Sequence, residues 1–252
     1  MDDRSFEQRP PGPRLDAAPQ GAPLVVVALI AALVLVHLVL SLLPEGSGEE
    51  IEQALAFIPA RYASDPLTFP GGSLALITSP LSYMIVHADW SHLAINGVWL
   101  LVFGTMVARR TGALKFMTLT IATGFAGILA FWLFHQGEQV PVIGASGAVS
   151  GLMAAAVRLM HAAALERSGP FFMLVPLGPV PRLAETLRDR QTRILIGVWL
   201  ALNVLAAFAV NLFAREIGIA WEVHLGGFLL GLFAFPAFDR VGAQGVPPDH
   251  GR

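Results

Sequence analysis

The apolar residues of this chain lie in long uninterrupted blocks, separated by polar stretches. The first block, Leu24–Leu43, contains twenty residues and no charge. A helix rises about 1.5 Å per residue, so a block of this length matches a bilayer core of about 30 Å. The pattern predicts an all-α membrane protein with six spans, near 24–43, 91–108, 113–135, 142–161, 194–214 and 219–238.

The segments outside these blocks divide the chain into three parts. Residues 1–22 are polar and rich in proline, which predicts a disordered N-terminal tail. Residues 23–238 form the predicted six-helix membrane domain, and residues 239–252 form a C-terminal tail.

Three long segments connect the predicted spans of the membrane domain. Residues 44–70 carry mostly acidic charge and predict a long loop. Residues 73–90 are apolar but are interrupted by Pro80, so we expect an entry segment that leads into the second span. Residues 166–193 are interpreted as a surface connector, with 171–175 lying on the membrane surface.

Composition supports the membrane assignment and excludes several chemistries. The chain is 55% apolar and 13% charged, whereas a soluble domain carries about 25% charged residues. It has no cysteine, which excludes disulfides, thiolate metal sites and cysteine nucleophiles. Neither a zinc-protease motif nor a G-x-G-D carboxylate motif occurs, and the net charge of −2 does not indicate nucleic acid. We therefore expect no metal and no cofactor.

The distribution of Lys and Arg predicts the orientation, because these residues concentrate in cytoplasmic loops. With six spans and both termini in the cytoplasm, only Arg61 and Arg215 fall on the outer side. Arginine is frequent, whereas Lys115 is the single lysine, and alanine is abundant, which suggests a bacterial genome. We expect a multi-pass protein of a bacterial inner membrane.

Four polar residues converge on one depth in this topology. Ser146 lies roughly 6 Å below the outer end of the fourth span, and His224 about 7–8 Å below that of the sixth, counted at helical rise. His92 begins the second span, and Asn96 follows one turn deeper on the same face. Polar side chains inside a membrane are costly and mark function.

These residue types suit acyl transfer. A serine hydroxyl attacks a peptide carbonyl when an imidazole takes its proton, so Ser146 and His224 are candidates for nucleophile and base. Donors for the resulting oxyanion could come from His92, Asn96 and the N–H of Ser146, if a helix begins there. Glu222 lies two residues from His224, on another helix face, so we predict a dyad rather than a triad.

Two pairs of glycines predict where helices approach each other. The members of each pair are four residues apart: Gly147 with Gly151 in the fourth span, and Gly227 with Gly231 in the sixth. Small residues at this spacing let helix backbones come close in lipid. If the two faces meet, Ser146 and His224 come within hydrogen-bonding distance.

With these residues in place, the chain resembles the rhomboid family of intramembrane serine proteases over about residues 75–235. Residues 144–147 (GASG) match the family's G-x-S-G motif, and residues 224–231 (HLGGFLLG) match H-x-x-G-x-x-x-G. The third match is H-x-x-x-x-H-x-x-x-N, formed by His87, His92 and Asn96. All three occur in the family's order.

The resemblance implies a Ser146–His224 dyad with an oxyanion hole from His92, Asn96 and the Ser146 backbone. It also implies substrates with one transmembrane helix, cut near the outer surface of the lipid bilayer. It assigns structural support to a further set: His87, Gly144, Gly147, Gly227 and Gly231. From the residues alone, His87 fits either a structural hydrogen bond or a direct catalytic role.

Three departures from the family pattern occur. Ala108 stands where an acidic residue often follows the valine at the end of the second span, and the first loop lacks a Trp-Arg pair. Ser150 stands where some members carry a tyrosine that stacks on the base. We therefore expect the orientation of His224 to depend on other packing.

Two other functions compete with proteolysis. A catalytically silent relative would bind transmembrane helices without cutting them, and such proteins usually lack the serine or the histidine. A small transporter would carry polar residues through both leaflets, whereas here they gather on one side. The remaining polar residues of the spans, which we expect to form interhelical hydrogen bonds, are His37, Asn203 and Asn211.

Overall fold

The computed structural model describes residues 21–44, 46–165, 176, 178–213 and 220–240, and these are mostly helical. Within those ranges the only extended pairing is an isolated antiparallel bridge between Phe57 and Val142. Several predictions lie outside the described residues: the tail over 1–20, the surface segment 171–175 and the C-terminal residues 241–252. The side chain of Asn211 also lies outside them.

Ten α-helices are found in the described part of the chain. They are α1 (Leu24–Leu42), α2 (Ser47–Leu55), α3 (Gly72–Ser82), α4 (Trp90–Trp99), α5 (Thr105–Thr111), α6 (Ala113–Phe134), α7 (Ser146–Leu165), α8 (Leu183–Arg188), α9 (Arg190–Phe213) and α10 (Trp221–Phe238). Short 3₁₀ turns cover Pro59–Tyr62, Pro66–Thr68 and Tyr83–Ile85.

Five helical stretches among the described residues are long and apolar enough to cross a bilayer. They are Leu24–Leu42, Trp90–Thr111, Ala113–Phe134, Ser146–Leu165 and Trp221–Phe238. The fifth block predicted from the sequence, near 194–214, overlaps α9, which has 24 residues. The fourth block was predicted to begin at 142, but its helix begins at Ser146, because Val142 pairs with Phe57 and leaves the helix path.

The second span changes its winding halfway. Helix α4 passes into a π-helical turn at Leu100–Gly104 and continues as α5. Gly104 packs against the ring of Phe116 on α6, where an added Cβ would lie 3.4 Å from the ring. The second and third spans therefore lie close together at Gly104.

Helices α6, α7 and α10 form the centre of the bundle. Helix α7 is the most enclosed, and its alanines 154–156 are fully buried. Small side chains allow neighbours on several sides to approach one helix. By contrast, α1 and α9 expose large aliphatic side chains, as expected of helices at the lipid-facing edge: Leu24, Leu35, Leu42, Leu202 and Leu205.

Helices α7 and α10 touch backbone to backbone. A Cβ added at Gly227 would lie 2.0 Å from the carbonyl oxygen of Gly147. A Cβ added at Gly231 would lie 2.0 Å from that of Gly151. The two glycine pairs therefore face each other, as their spacing predicts.

The acidic segment 44–70 was predicted as a loop, but it contains a helix, α2, and is organised by a buried arginine. The guanidinium of Arg61 donates to the carbonyl oxygens of Ala56 (2.9 Å), Gln53 (2.8 Å) and Pro70 (3.3 Å). These bonds tie distant parts of the loop together. The Phe57–Val142 bridge then joins the loop to the segment that leads into α7.

At the opposite end of the bundle, a second buried arginine joins the end of α5 to the end of α10. Arg110 on α5 forms a buried ion pair with Asp239, at 2.6 Å, just beyond α10. It also donates to the carbonyl oxygens of Pro176 and Gly178. The sequence placed Asp239 in a tail, whereas the structure buries it against α5.

Candidate active site

Ser146 is the first residue of α7, and a turn that favours glycine precedes it. Gly144, two residues earlier, has φ of +111°, which L side chains rarely adopt. Its N–H donates to the carbonyl of Tyr83 at 2.8 Å. Because the first N–H groups of a helix have no intrahelical acceptor, those at Ser146 and the following residues are available to a ligand.

His224 lies in the first turn of α10, opposite Ser146. Its Nε2 atom is 2.8 Å from the Ser146 hydroxyl oxygen. This distance lies within the range that general-base catalysis requires. The contact follows directly from the close approach of Gly147 and Gly227, since each of these glycines is near one of the two side chains in sequence.

The other nitrogen of the His224 ring has a partner that the sequence did not indicate. Its Nδ1 atom lies 2.6 Å from the side-chain oxygen of Asn203 on α9. The sequence predicts an interhelical hydrogen bond for Asn203, and it predicts that packing other than a tyrosine orients His224. The structure shows that a polar side chain on the Nδ1 side of the ring is part of that packing.

His92 and Asn96 lie on α4, whose start is determined by Asp89. The Asp89 carboxylate accepts from the N–H of His92 at 2.8 Å and from the Ser91 hydroxyl, which is the standard role of an N-cap residue. The bond from Ser91, followed by that from His92, lowers the pKa of Asp89 below its ordinary value. The ionised cap holds His92 in the first turn of α4.

His92 lies directly against the turn that precedes Ser146. A Cβ added at Gly144 would lie 2.7 Å from the imidazole Cε1 atom. One turn deeper, Asn96 is 3% exposed and donates from Nδ2 to the His92 carbonyl at 2.9 Å. An amide nitrogen carries two hydrogens, so this bond leaves a second one for another acceptor.

His87 lies behind the same turn. Its Nε2 atom accepts from the N–H of Ala145 at 3.5 Å, and its ring centroid is 5.1 Å from that of His92. It is 1% exposed. These contacts place the ring against the backbone before Ser146 and beside His92.

Glu222 faces away from His224, as the helix spacing predicts. Its carboxylate lies 3.1 Å from Nε2 of His135, which follows α6. The other ring nitrogen of His135 is 2.9 Å from Glu138. This contact joins the beginning of α10 to the end of α6. Among the described residues, no group of three or more His, Cys, Asp or Glu is arranged to hold a metal ion.

Comparison with models of known protein families identifies the family to which this site belongs. The Rhomboid domain matches residues 75–238, which is more than half of the 252 residues. The chain belongs to the rhomboid family. The matched region contains every candidate site residue described above, and the family predicted from the sequence motifs is confirmed.

Individual relatives agree with this assignment. This rhomboid is 29% identical over 167 residues to Rhomboid protease GluP of Bacillus subtilis (strain 168), covering 66% of this chain and 27% of that protein. It is 26% identical over 176 residues to Rhomboid protease AarA of Providencia stuartii, covering 64% and 56%. It is 39% identical over 71 residues to Rhomboid-like protein 11, chloroplastic, of Arabidopsis thaliana, covering 28% and 25%.

This rhomboid therefore spans about a quarter to just over half of the length of these relatives. The family and the apolar helices together make it an integral membrane protein. Ser150, where some members carry a tyrosine, is 7% exposed within α7. The side chain that contacts Nδ1 of the His224 ring comes from α9.

Proposed function

We propose that this rhomboid is an intramembrane serine endopeptidase. It cleaves membrane proteins that have a single transmembrane helix, within or near the outer leaflet. Ser146 is the nucleophile and His224 is its base. The observation that carries the proposal is the 2.8 Å separation of the Ser146 hydroxyl oxygen and the His224 Nε2 atom.

The chemistry proceeds in two halves. The Ser146 oxygen attacks the scissile carbonyl carbon while Nε2 of His224 takes the hydroxyl proton. The tetrahedral intermediate collapses, and the imidazolium gives its proton to the leaving amine. A water molecule, deprotonated by the same nitrogen, then attacks the acyl-enzyme ester. The second collapse returns the proton to Ser146 and releases the new carboxyl end.

We assign the oxyanion hole to the Ser146 N–H and to the side chains of His92 and Asn96. The beginning of α7 adds the positive end of a helix dipole at the same place. The contact of His92 with the Gly144 turn and the burial of Asn96 support this assignment. Fixed donors in a water-poor site stabilise a developing negative charge more strongly than they would in water.

Asn96→Ala should lower kcat by roughly 10²–10³, the cost of one oxyanion donor in a soluble serine protease. KM should change little, because the oxyanion exists only in the transition state. The measurement is cleavage of a single-span substrate in liposomes. Ile95→Ala, at a 59% exposed neighbour, is the control. An unchanged kcat in Asn96→Ala would remove this residue from the oxyanion hole.

The same proposal includes a topology: six spans, with α9 as the fifth, and both termini in the cytoplasm. The 24-residue length of α9 and the distribution of arginines support it. Helices α7 and α10 then begin at the outer surface. The catalytic pair consequently lies just below that surface, where a water molecule can enter.

The topology can be measured because the chain contains no cysteine. We expect Ala63→Cys, in the first loop, to react with a membrane-impermeant maleimide in intact spheroplasts. Ala184→Cys, on α8, should react only after the membrane is opened. Both positions are exposed in the structure, and the cysteine-free parent sets the background. The reverse pattern would contradict the orientation.

The nucleophile can be tested without knowledge of the substrate. We expect a fluorophosphonate probe to label the wild-type protein in lipid and to leave Ser146→Ala unlabelled. Ser150→Ala, one turn further along α7, should remain labelled. Labelling that persists in Ser146→Ala would refute the assignment. An unlabelled wild type that still captures single-span helices would instead indicate a helix-binding protein.

A further inference from the structure

We infer that Asn203 is a positioning residue for His224, so that the catalytic arrangement is completed from α9. This inference rests on the proposed proteolytic function. It concerns a residue that none of the three rhomboid motifs contains. The geometry that points to it is a chain of three side chains, running from the Ser146 hydroxyl through the His224 ring to the Asn203 amide.

The orientation of the Asn203 amide is determined by a second hydrogen bond. Its Nδ2 atom donates to the carbonyl oxygen of Trp199, one turn earlier on α9, at 2.8 Å. With the nitrogen engaged there, the amide oxygen faces His224 Nδ1 at 2.6 Å. An amide oxygen only accepts hydrogen bonds, so Nδ1 must carry the proton of the neutral ring.

That protonation state is the one that catalysis needs. When Nδ1 carries the hydrogen, the lone pair of the neutral imidazole is on Nε2. Nε2 is the atom 2.8 Å from the Ser146 hydroxyl. Asn203 therefore selects the tautomer in which His224 can accept the serine proton, and it holds the ring plane in that direction.

Packing between α9 and α10 determines the position of Asn203. The ring of Trp199 stacks on Phe228 with centroids 4.2 Å apart and planes 17° from parallel. Trp199 is one turn before Asn203, and Phe228 is one turn after His224. The aromatic pair and the polar pair thus form two successive contacts between the same helices. The stack determines the position of α9 along α10, and so it brings the Asn203 amide level with the His224 imidazole.

A neutral amide serves this partly buried position without adding a charge. A buried carboxylate must recover a large desolvation cost from its partner. The nearby acid on α10, Glu222, is engaged with His135. Asn203 instead offers a dipole whose oxygen stabilises the imidazolium when it forms, without placing a permanent charge between two helices.

The test compares two substitutions at this position. In Asn203→Leu, which has a similar volume and no acceptor, kcat should fall about 10- to 100-fold, the equivalent of one hydrogen bond to a charged group. KM should stay unchanged. Asn203→Asp restores an acceptor and should recover most of kcat. Its negative charge should also move the acidic limb of the kcat–pH profile to higher pH. Leu202→Ala, at a 60% exposed neighbour on α9, is the control and should match wild type.

A spectroscopic readout separates this inference from the proposed function. In protein with ¹⁵N-labelled histidine, the hydrogen-bonded Nδ1–H of His224 should give a downfield proton signal that Ser146→Ala retains and Asn203→Leu loses. If wild type shows this signal but neither cleaves nor reacts with fluorophosphonate, the contact stands and the proteolytic function fails. Wild-type kcat, pH profile and proton signal in Asn203→Leu would overturn the positioning role. So would a loss of thermal stability in Asn203→Leu with no recovery of kcat in Asn203→Asp.

Discussion

Ser146→Ala and His224→Ala should each reduce cleavage of a single-span substrate in liposomes by at least about 10⁴-fold, to the background rate. Removing the hydroxyl leaves no atom to form the acyl-enzyme, and removing the imidazole leaves the hydroxyl protonated. In a soluble serine protease, loss of the nucleophile or the base costs about 10⁶ in kcat. The 2.8 Å contact between the two groups makes a comparable dependence the expectation here.

The double variant provides the sharper measurement. Residues that act as one unit show strongly non-additive effects, so Ser146→Ala/His224→Ala should be no slower than either single variant. Thermal stability should stay near wild type for Ser146→Ala, because only one atom is removed. Ser150→Ala on the same helix should cleave normally. Measurable turnover by Ser146→Ala, or additive losses in the double variant, would show that the two side chains do not work together.

Gly227→Ala should both destabilise the protein and slow cleavage, although it adds a single methyl group. The added Cβ would lie 2.0 Å from the Gly147 carbonyl oxygen, whereas normal carbon–oxygen contacts are about 3.3–3.6 Å. Helices α7 and α10 must therefore separate by more than about 1 Å at this level. Overpacking of this kind costs about 1–3 kcal/mol. Misplacement by about 1 Å can cost about 10² in rate.

The chain offers a matched control for this change. Gly197 lies on α9, and an added Cβ there meets nothing within 4 Å. Gly197→Ala should therefore leave cleavage unchanged and should slightly stabilise the helix, since alanine is the better helix former. Thermal unfolding and cleavage in liposomes measure both variants. Wild-type stability and kcat in Gly227→Ala would mean that the two backbones are not in contact.

Much of the candidate site was visible in the sequence because depth in a membrane can be counted. A helix crossing about 30 Å of hydrocarbon advances by a constant rise. Positions along different spans can therefore be compared without knowing how the spans pack. Ser146, His224, His92 and Asn96 could be grouped in this way. The glycine spacing then indicated which helix faces meet.

The sequence did not predict two contacts of the structure. Each joins segments whose relative position cannot be read from the spacing of residues along the chain. Asn203 was recognisable as a costly polar residue within a span, but its partner was not, because the rotation of α9 about its own axis depends on the Trp199–Phe228 stack. Arg61 is the second case. The sequence shows it only as a basic residue in an acidic loop, yet it is buried and its guanidinium donates to three backbone carbonyls.

The sequence by itself determined the family, the membrane character and the residues that carry the proposed chemistry. These follow from local quantities: the length of apolar blocks, the cost of polar groups in lipid and motif spacing. The tertiary structure alone decided which side chain contacts Nδ1 of His224, how the first loop is organised and where Asp239 lies. Those outcomes depend on the rotation of each helix about its axis and on which side chains donate hydrogen bonds to backbone carbonyls outside the helices. Both are determined only when the helices pack together.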